Sequence, residues 1–171
     1  MNKCKIKLAE ISDGKNTFKF EIRDEFFEAF TLSDVEYAEI ISTALINKDG
    51  NNLALTLSID GIINKLLCDM CADEISINIS AKTNLLIKLS NENLVSTDEI
   101  IYIKKSEKII DLQQLIFELI ILNLPKKIQH STNNNGVKCN KDMINLIKQY
   151  TIKKKSTYDT RWDALKDLKI K

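Results

Sequence analysis

Five side chains in this sequence are thiols or imidazole, the types a metal ion or a thiol reaction needs: Cys4, Cys68, Cys71, His130 and Cys139, of which the last four are spaced to work together. Cys68-Asp69-Met70-Cys71 sets two thiols two residues apart at a turn between two predicted strands. That spacing lets both sulfurs converge on one ion, as in a zinc knuckle. A tetrahedral structural site needs two more soft or imidazole donors. His130 is the only histidine and Cys139 the only cysteine beyond it, so Cys-x2-Cys with His-x8-Cys composes a Cys3His set that would hold one structural zinc ion. Two other readings stand beside this one. The thiols are ordinary reduced cysteines with no ligand, or Cys-x-x-Cys does thiol-disulfide exchange through a thiolate of lowered pKa. Exchange chemistry favours a helix N-terminus in a parallel βαβ setting, whereas both flanks here read as antiparallel strands. Asp69, Asp73 and Glu74 are expected to raise nearby thiol pKa values rather than lower them.

Other chemistry is thinly represented. One histidine, no Gly-x-Gly-x-x-Gly, no phosphate-binding Gly-Lys-Ser/Thr and no nucleophile elbow leave no catalytic constellation. The acid pairs Asp24/Glu25 and Asp98/Glu99 read as solvated surface. No catalytic residue is assigned, and the chain is not expected to be an enzyme.

The charges are unevenly placed. The chain as a whole carries +1, but residues 1–125 hold 13 Lys/Arg against 20 Asp/Glu, giving −7, and residues 126–171 hold 12 against 4, giving +8. An acidic body followed by a basic end points to a polyanionic partner, or to the end docking on its own body. Lys126, Lys127, Lys153, Lys154, Lys155, Arg161, Lys166 and Lys169 are the candidate phosphate contacts. Such contacts are indifferent to base sequence and weaken with salt. Tyr150, Tyr158 and Trp162 are the candidates for stacking on unpaired bases, and for Trp162 a packing role competes.

The elements that must position these residues follow from length and periodicity. A chain of 171 residues, 44% hydrophobic and 29% charged, is long enough for one domain with a hydrophobic core and is neither a disordered nor a disulfide-scaffold composition. Residues 3–11 and 17–22 alternate with period two and, with a turn at Asp13-Gly14, are expected to form a hairpin. Asp24 is expected to cap a short helix carrying Phe26, Phe27 and Phe30. Segments 36–47 and 52–60 flank Lys48-Asp49-Gly50-Asn51, a strong hairpin signal. A turn at Asp60-Gly61, a strand over 62–67, a long alternating segment over 74–89, a loop over 90–99 and a short strand over 100–103 complete an antiparallel meander.

The period then changes to 3.6. Residues 111–124 predict one long helix, with Asp111 and Gln114 as a capping box, Leu112, Leu115, Ile116, Leu119 and Leu122 on one face, and Pro125 as its stop. The predicted fold is therefore α+β, an antiparallel β-meander sheet packed with one long helix in a β-rich body over 1–125. A loosely structured basic C-terminal segment follows over 126–171, with a short terminal helix from Asp159 bearing Trp162, Leu165 and Leu168. The opening residues lack the continuous apolar run of a secretory signal, and the longest apolar stretch falls short of the roughly 20 residues of a membrane span. A cytoplasmic setting with reduced cysteines, no membrane and no small-molecule substrate is expected.

In order along the chain stand Cys68-x-x-Cys71 on a β-turn, Ile110-Asp111-Leu112 opening a helix, and Glu118 to Pro125 closing it. His130, Cys139 and Arg161-Trp162-x-Ala164-Leu165-x-x-Leu168-Lys169 follow. This order resembles the YceD family, named for accumulation of the large ribosomal RNA subunit. The resemblance covers roughly residues 50–171, with Met70 where members commonly carry Arg and Gln129 where they often carry Pro. It implies a non-enzymatic ribosome-biogenesis factor for the synthesis, processing or stability of 23S rRNA, with ribosomal RNA, a pre-ribosomal particle or a ribosomal protein as partner. It also supports grouping Cys68 and Cys71 with His130 and Cys139. An adaptor binding a basic ribosomal protein is the alternative, and a thiol-disulfide oxidoreductase the third.

Overall fold

A computed structural model describes residues 4–30, 35–91, 94–97, 99–104, 106–130 and 138–151. The chain divides at Cys139/Asn140 into two compact units. In the first, a five-stranded sheet runs in the order β2 (Gly14–Ile22), β3 (Tyr37–Asp49), β4 (Asn52–Leu67), β5 (Glu74–Ser90) and β6 (Ile100–Lys104). The short helix α1 (Asp24–Phe27) lies between β2 and β3 in the chain. A separate two-stranded sheet pairs β1 (Lys5–Lys7) with β7 (Ile109–Asp111), and helix α2 (Gln113–Leu122) follows directly. The molecule is thus α+β, with strands dominant and strand neighbours in sequence order within the large sheet.

Alternation set most of this. Leu53, Leu55, Leu57, Ile59 and Ile63 of β4 are all buried, as are Ile75, Ile77, Ile79, Leu85 and Ile87 of β5, because side chains two apart share a face of a strand. The β3–β4 hairpin closes with Asp49 opposite Asn52, and Gly50 takes φ 56°, a left-handed turn conformation that glycine adopts without steric cost.

Several expectations are corrected. Among the described residues, 4–11 do not pair with 17–22. β1 instead pairs with β7, Ile6 opposite Ile110, where both side chains are buried. Period two marks a strand but not its partner. No turn forms at Asp60-Gly61, and β4 runs through it for 16 residues. Gly61 is there because a Cβ would run into the Glu39 carbonyl of β3, a close backbone approach rather than a reversal. β6 lies parallel to β5, so the sheet is mixed. Just before β6, Glu99 O accepts from Leu86 N of β5 at 2.8 Å. Asp24 does not cap α1. Its Oδ1 accepts from Ala38 N at 3.1 Å, tying α1 to β3.

Helix α2 has ten residues, not the 14 of 111–124: Asp111 is taken into the strand β7, Leu112 flanks the helix start, and Asn123 and Leu124 lie past its end. Asp111 Oδ1 accepts from Gln113 N at 3.0 Å, but Gln114 bonds Glu118 on its own helix at 2.8 Å, so no capping box forms. Ile116, Leu119 and Ile120 are buried, whereas Leu122 is 82% exposed. At about 100° per residue Leu122 lies roughly a quarter-turn off the stripe that Leu112, Ile116 and Ile120 define.

In the second unit the described residues form helix α3 (Lys141–Tyr150), in a segment expected to be loosely structured. No helix among the described residues is long and apolar enough to cross a membrane. The helix expected from Asp159, with Trp162, Leu165 and Leu168, lies outside the described residues.

Candidate metal centre

β4 ends and β5 begins at the knuckle 68–73, closed by two main-chain bonds: Cys68 N to Asp73 O at 2.9 Å and Ala72 N to Cys68 O at 2.8 Å. Ala72 takes φ 59°, the left-handed residue that such a tight reversal requires. A second local feature aims the first cysteine. Between Ile63 and Leu66 the register of β4 against β5 shifts, with three steps on β4 facing two on β5, and Lys65 adopts φ 56°. One extra residue reverses every side chain beyond it. Inward positions are odd-numbered up to Ile63 and become Leu66 and Cys68 after the bulge. Without the bulge, Cys68 would face solvent.

His130 arrives on the segment that leaves α2. Asp69 N donates to Ile128 O at 2.7 Å, and Ile128 N donates to Asp69 Oδ2 at 2.7 Å. Cys139 completes the group from the end of the first unit. The four donor atoms all lie within 4.8 Å of one another. Cys68 Sγ stands 3.8 Å from Cys139 Sγ, and His130 Nδ1 stands 3.5 Å from Cys71 Sγ and 3.6 Å from Cys139 Sγ. A tetrahedron built on bonds of about 2.3 Å to sulfur and about 2.0–2.1 Å to nitrogen has sulfur–sulfur edges of ~3.8 Å and sulfur–nitrogen edges of ~3.5–3.6 Å. These three of the six edges match a zinc-sized ion, and the other three are at most 4.8 Å. Cys68, Cys71 and His130 are buried and Cys139 is half-buried, as in a closed structural site rather than one with an open position for substrate.

The electrostatics suit ligation. Burial pushes the Cys68 thiol up, but the N–H groups of Met70, Cys71 and His130 and the Cys71 thiol turn toward its sulfur and bring it down to about 6. The expectation that Asp69, Asp73 and Glu74 would raise the thiols fails at Cys68, whose shift is set by burial and by the hydrogen bonds just named, and the Asp69 carboxylate is engaged by Ile128 N. Cys139 is shifted the other way, by burial and then by Cys68 and Cys71 beside it. A divalent cation would replace the remaining protons, which is how ligand thiols become thiolates.

The structure brings Cys68, Cys71, His130 and Cys139 together. Cys4, the fourth cysteine, is buried elsewhere, and burial and the nearby Asp111 carboxylate push it up to about 11. Of the candidate phosphate contacts, Lys126 and Lys127 are exposed on the segment between α2 and His130. Lys153, Lys154, Lys155, Arg161, Lys166 and Lys169 lie outside the described residues. Sequence reasoning missed three contributors to the site: the Asn64–Lys65 bulge, Asp69 and Ala72. The bulge had a signal, since the odd-position apolar run of 53–63 jumps to Leu66 and Cys68. Asp69 and Ala72 had none, because what each does depends on a partner or a backbone angle.

Fold and site together describe a small α+β protein in which a turn between two strands brings Cys68 and Cys71 to His130 and Cys139 of a downstream segment. Comparison with known proteins then gives the family. The model of the large ribosomal RNA subunit accumulation protein YceD matches residues 55–169, and the chain belongs to this family. No curated protein and no solved structure matches it.

Proposed function

We propose that this protein is a cytoplasmic, non-enzymatic factor supporting accumulation of the large-subunit (23S) ribosomal RNA, and that it acts by binding the RNA or a pre-ribosomal particle. The observation that carries the reading is the family match over residues 55–169, a span that includes all four donors and every candidate phosphate contact. One structural zinc ion held by Cys68, Cys71, His130 and Cys139 fits the donor chemistry, since thiolate and imidazole favour zinc over magnesium or calcium. The ion's part is architectural: it fixes the chain after α2 to the β4–β5 knuckle. Lys126, Lys127, Lys153, Lys154, Lys155, Arg161, Lys166 and Lys169 then supply phosphate contacts from the basic end.

The test has two arms. Protein purified under reducing conditions is expected to carry one zinc per chain, lost in Cys68→Ser. Depletion in cells is expected to lower 23S relative to 16S RNA, and the purified protein should be retained on ribosomal RNA in a salt-sensitive way that deletion of 151–171 removes. Unchanged 23S levels on depletion would overturn the reading. A second reading, an adaptor for a basic ribosomal protein, is favoured by the excess of acid in residues 1–125. Retention of such a protein, unaffected by the same deletion, would select it.

A further inference from the structure

We propose that Asp69 is the positioning residue that delivers His130 to the metal centre, by latching the main chain at Ile128 onto the knuckle. The inference deepens the zinc reading and rests on it. Asp69 lies between the two knuckle cysteines and is exposed, so neither burial nor ligation explains it. Both of its hydrogen bonds described above go to one residue, Ile128: its amide gives to the Ile128 carbonyl, and its carboxylate receives from the Ile128 amide, each at 2.7 Å. Together they close a ring that holds both main-chain groups of Ile128, and the carboxylate bond is of the short, charge-assisted kind.

Ile128 is well placed for such a latch. Its side chain packs against the core, while Lys126 and Lys127 before it are exposed, so it anchors the stretch running from α2 to the site. His130 follows two residues later, with its main-chain N–H toward Cys68 and its Nδ1 toward Cys71 and Cys139. Asp73, on the same turn, accepts from Cys68 N through its main-chain carbonyl, which any side chain would leave in place. Neither latch bond involves a donor atom of the site, so the latch can present the imidazole in advance of ligation. Outer partners that orient a ligand are typically worth about 10–100-fold in metal affinity.

Cobalt titration of the full-length chain under reducing conditions tests this, read through the thiolate charge-transfer and ligand-field bands and through the ring nitrogens of the single histidine by nitrogen-15 NMR. Asp69→Ala is expected to bind cobalt about 10–100-fold more weakly, with the Nδ1 signal of His130 no longer shifted by the metal. Asp69→Asn keeps an oxygen that accepts from Ile128 N and is expected to restore both readouts to near those of the unmodified chain. Asp73→Ala should match the unmodified chain throughout. In the metal-free protein the Ile128 amide should resist hydrogen exchange in the unmodified chain and in Asp69→Asn, and exchange rapidly in Asp69→Ala. Unchanged affinity and imidazole coordination in Asp69→Ala would overturn the latch, as would a folded Asp69→Asn that fails to restore them. An unmodified chain that binds no cobalt through His130 would instead sink the zinc reading, and the Ile128 exchange comparison would still decide the latch.

Discussion

Helices α2 and α3 are each ten residues long and are held in opposite ways. α2 is apolar nearly all round, has no side-chain cap on its flanking residue, and buries Ile116, Leu119 and Ile120 against the large sheet. Phe117 on its flank stacks on Phe30 at 3.8 Å. α3 is strongly two-faced and capped by Asn140, whose Oδ1 accepts from Asp142 N at 3.0 Å. None of its residues is buried among those described, and Leu146, Ile147 and Tyr150 are exposed. Among the described residues, tertiary burial supports α2, whereas α3 shows local capping and periodicity. A strong amphipathic pattern is therefore no measure of how firmly a helix is seated, since a helix covered on most sides has little contrast left to show.

The largest test of that contrast is a pair of truncations. Ile116→Ala should cost the first unit about 2–5 kcal/mol, the range for a buried isoleucine that leaves a cavity. Ile147→Ala should stay within about 0.5 kcal/mol. Urea unfolding followed by the sheet's circular dichroism separates the two, and equal midpoints would break the comparison.

Next in size is alkaline pH. The Cys4 carbonyl accepts from Leu112 N at the start of α2, at 3.0 Å, so Cys4 helps to seat that helix. Its thiol rises from an ordinary 9.0 to about 11 through burial first and Asp111 second. The neutral thiol is the form the fold favours. The contribution is therefore complete below pH 9 and is lost as pH rises through 11, at most about 2–3 kcal/mol in all. Cys4→Ala should flatten that arm of the pH profile. In metal-free protein Cys68 slopes the other way: its thiolate is favoured, so its contribution is complete above pH 9 and is lost as pH falls through about 6.

Asn140→Ala comes third. Removing a side-chain cap costs about 1 kcal/mol, and here the loss should appear as faster amide exchange along α3 with no change in the first unit's midpoint. The smallest effect concerns the knuckle. Ala72 holds a left-handed angle that disfavours a Cβ by about 1–2 kcal/mol, while glycine raises unfolded-chain entropy by about 0.4–1 kcal/mol. Ala72→Gly should therefore stabilise the first unit by about 0–1.6 kcal/mol, with a central value below about 1, measured by the same urea midpoint. A loss would show that Ala72 makes contacts the angle does not explain.

The donors themselves are legible in the sequence, because Cys-x-x-Cys at a turn with a single histidine and one cysteine beyond it leaves few ways to complete a tetrahedron, Cys4 standing apart on an alternating strand. The β3–β4 hairpin is legible for a similar reason: Asp49-Gly50 fixes a local geometry without help from distant residues. The β1–β7 pair is not, since Ile6 and Ile110 are 104 positions apart and alternation names no partner. Nor is the parallel course of β6, which depends on where the chain re-enters the sheet after β5. Gly61 misleads for a physical reason, because a missing side chain serves a close approach to Glu39 as well as it serves a turn. α3 does carry a local signal, Asn140 as cap with Met143, Ile144, Leu146 and Ile147 behind it at helical spacing, but it sits inside a basic, loop-like stretch that masks it.

What the sequence determined alone is whatever rests on local chemistry: which residues donate soft ligands, which runs alternate, where charge accumulates, and the family order of motifs. Only the tertiary structure decided that the four donor atoms meet within 4.8 Å of one another, that a bulge at Lys65 turns Cys68 inward, and that Asp69 bonds Ile128 two residues before His130. Those outcomes depend on register and on contacts between segments far apart in the chain, where a shift of one residue reverses a side chain from core to solvent.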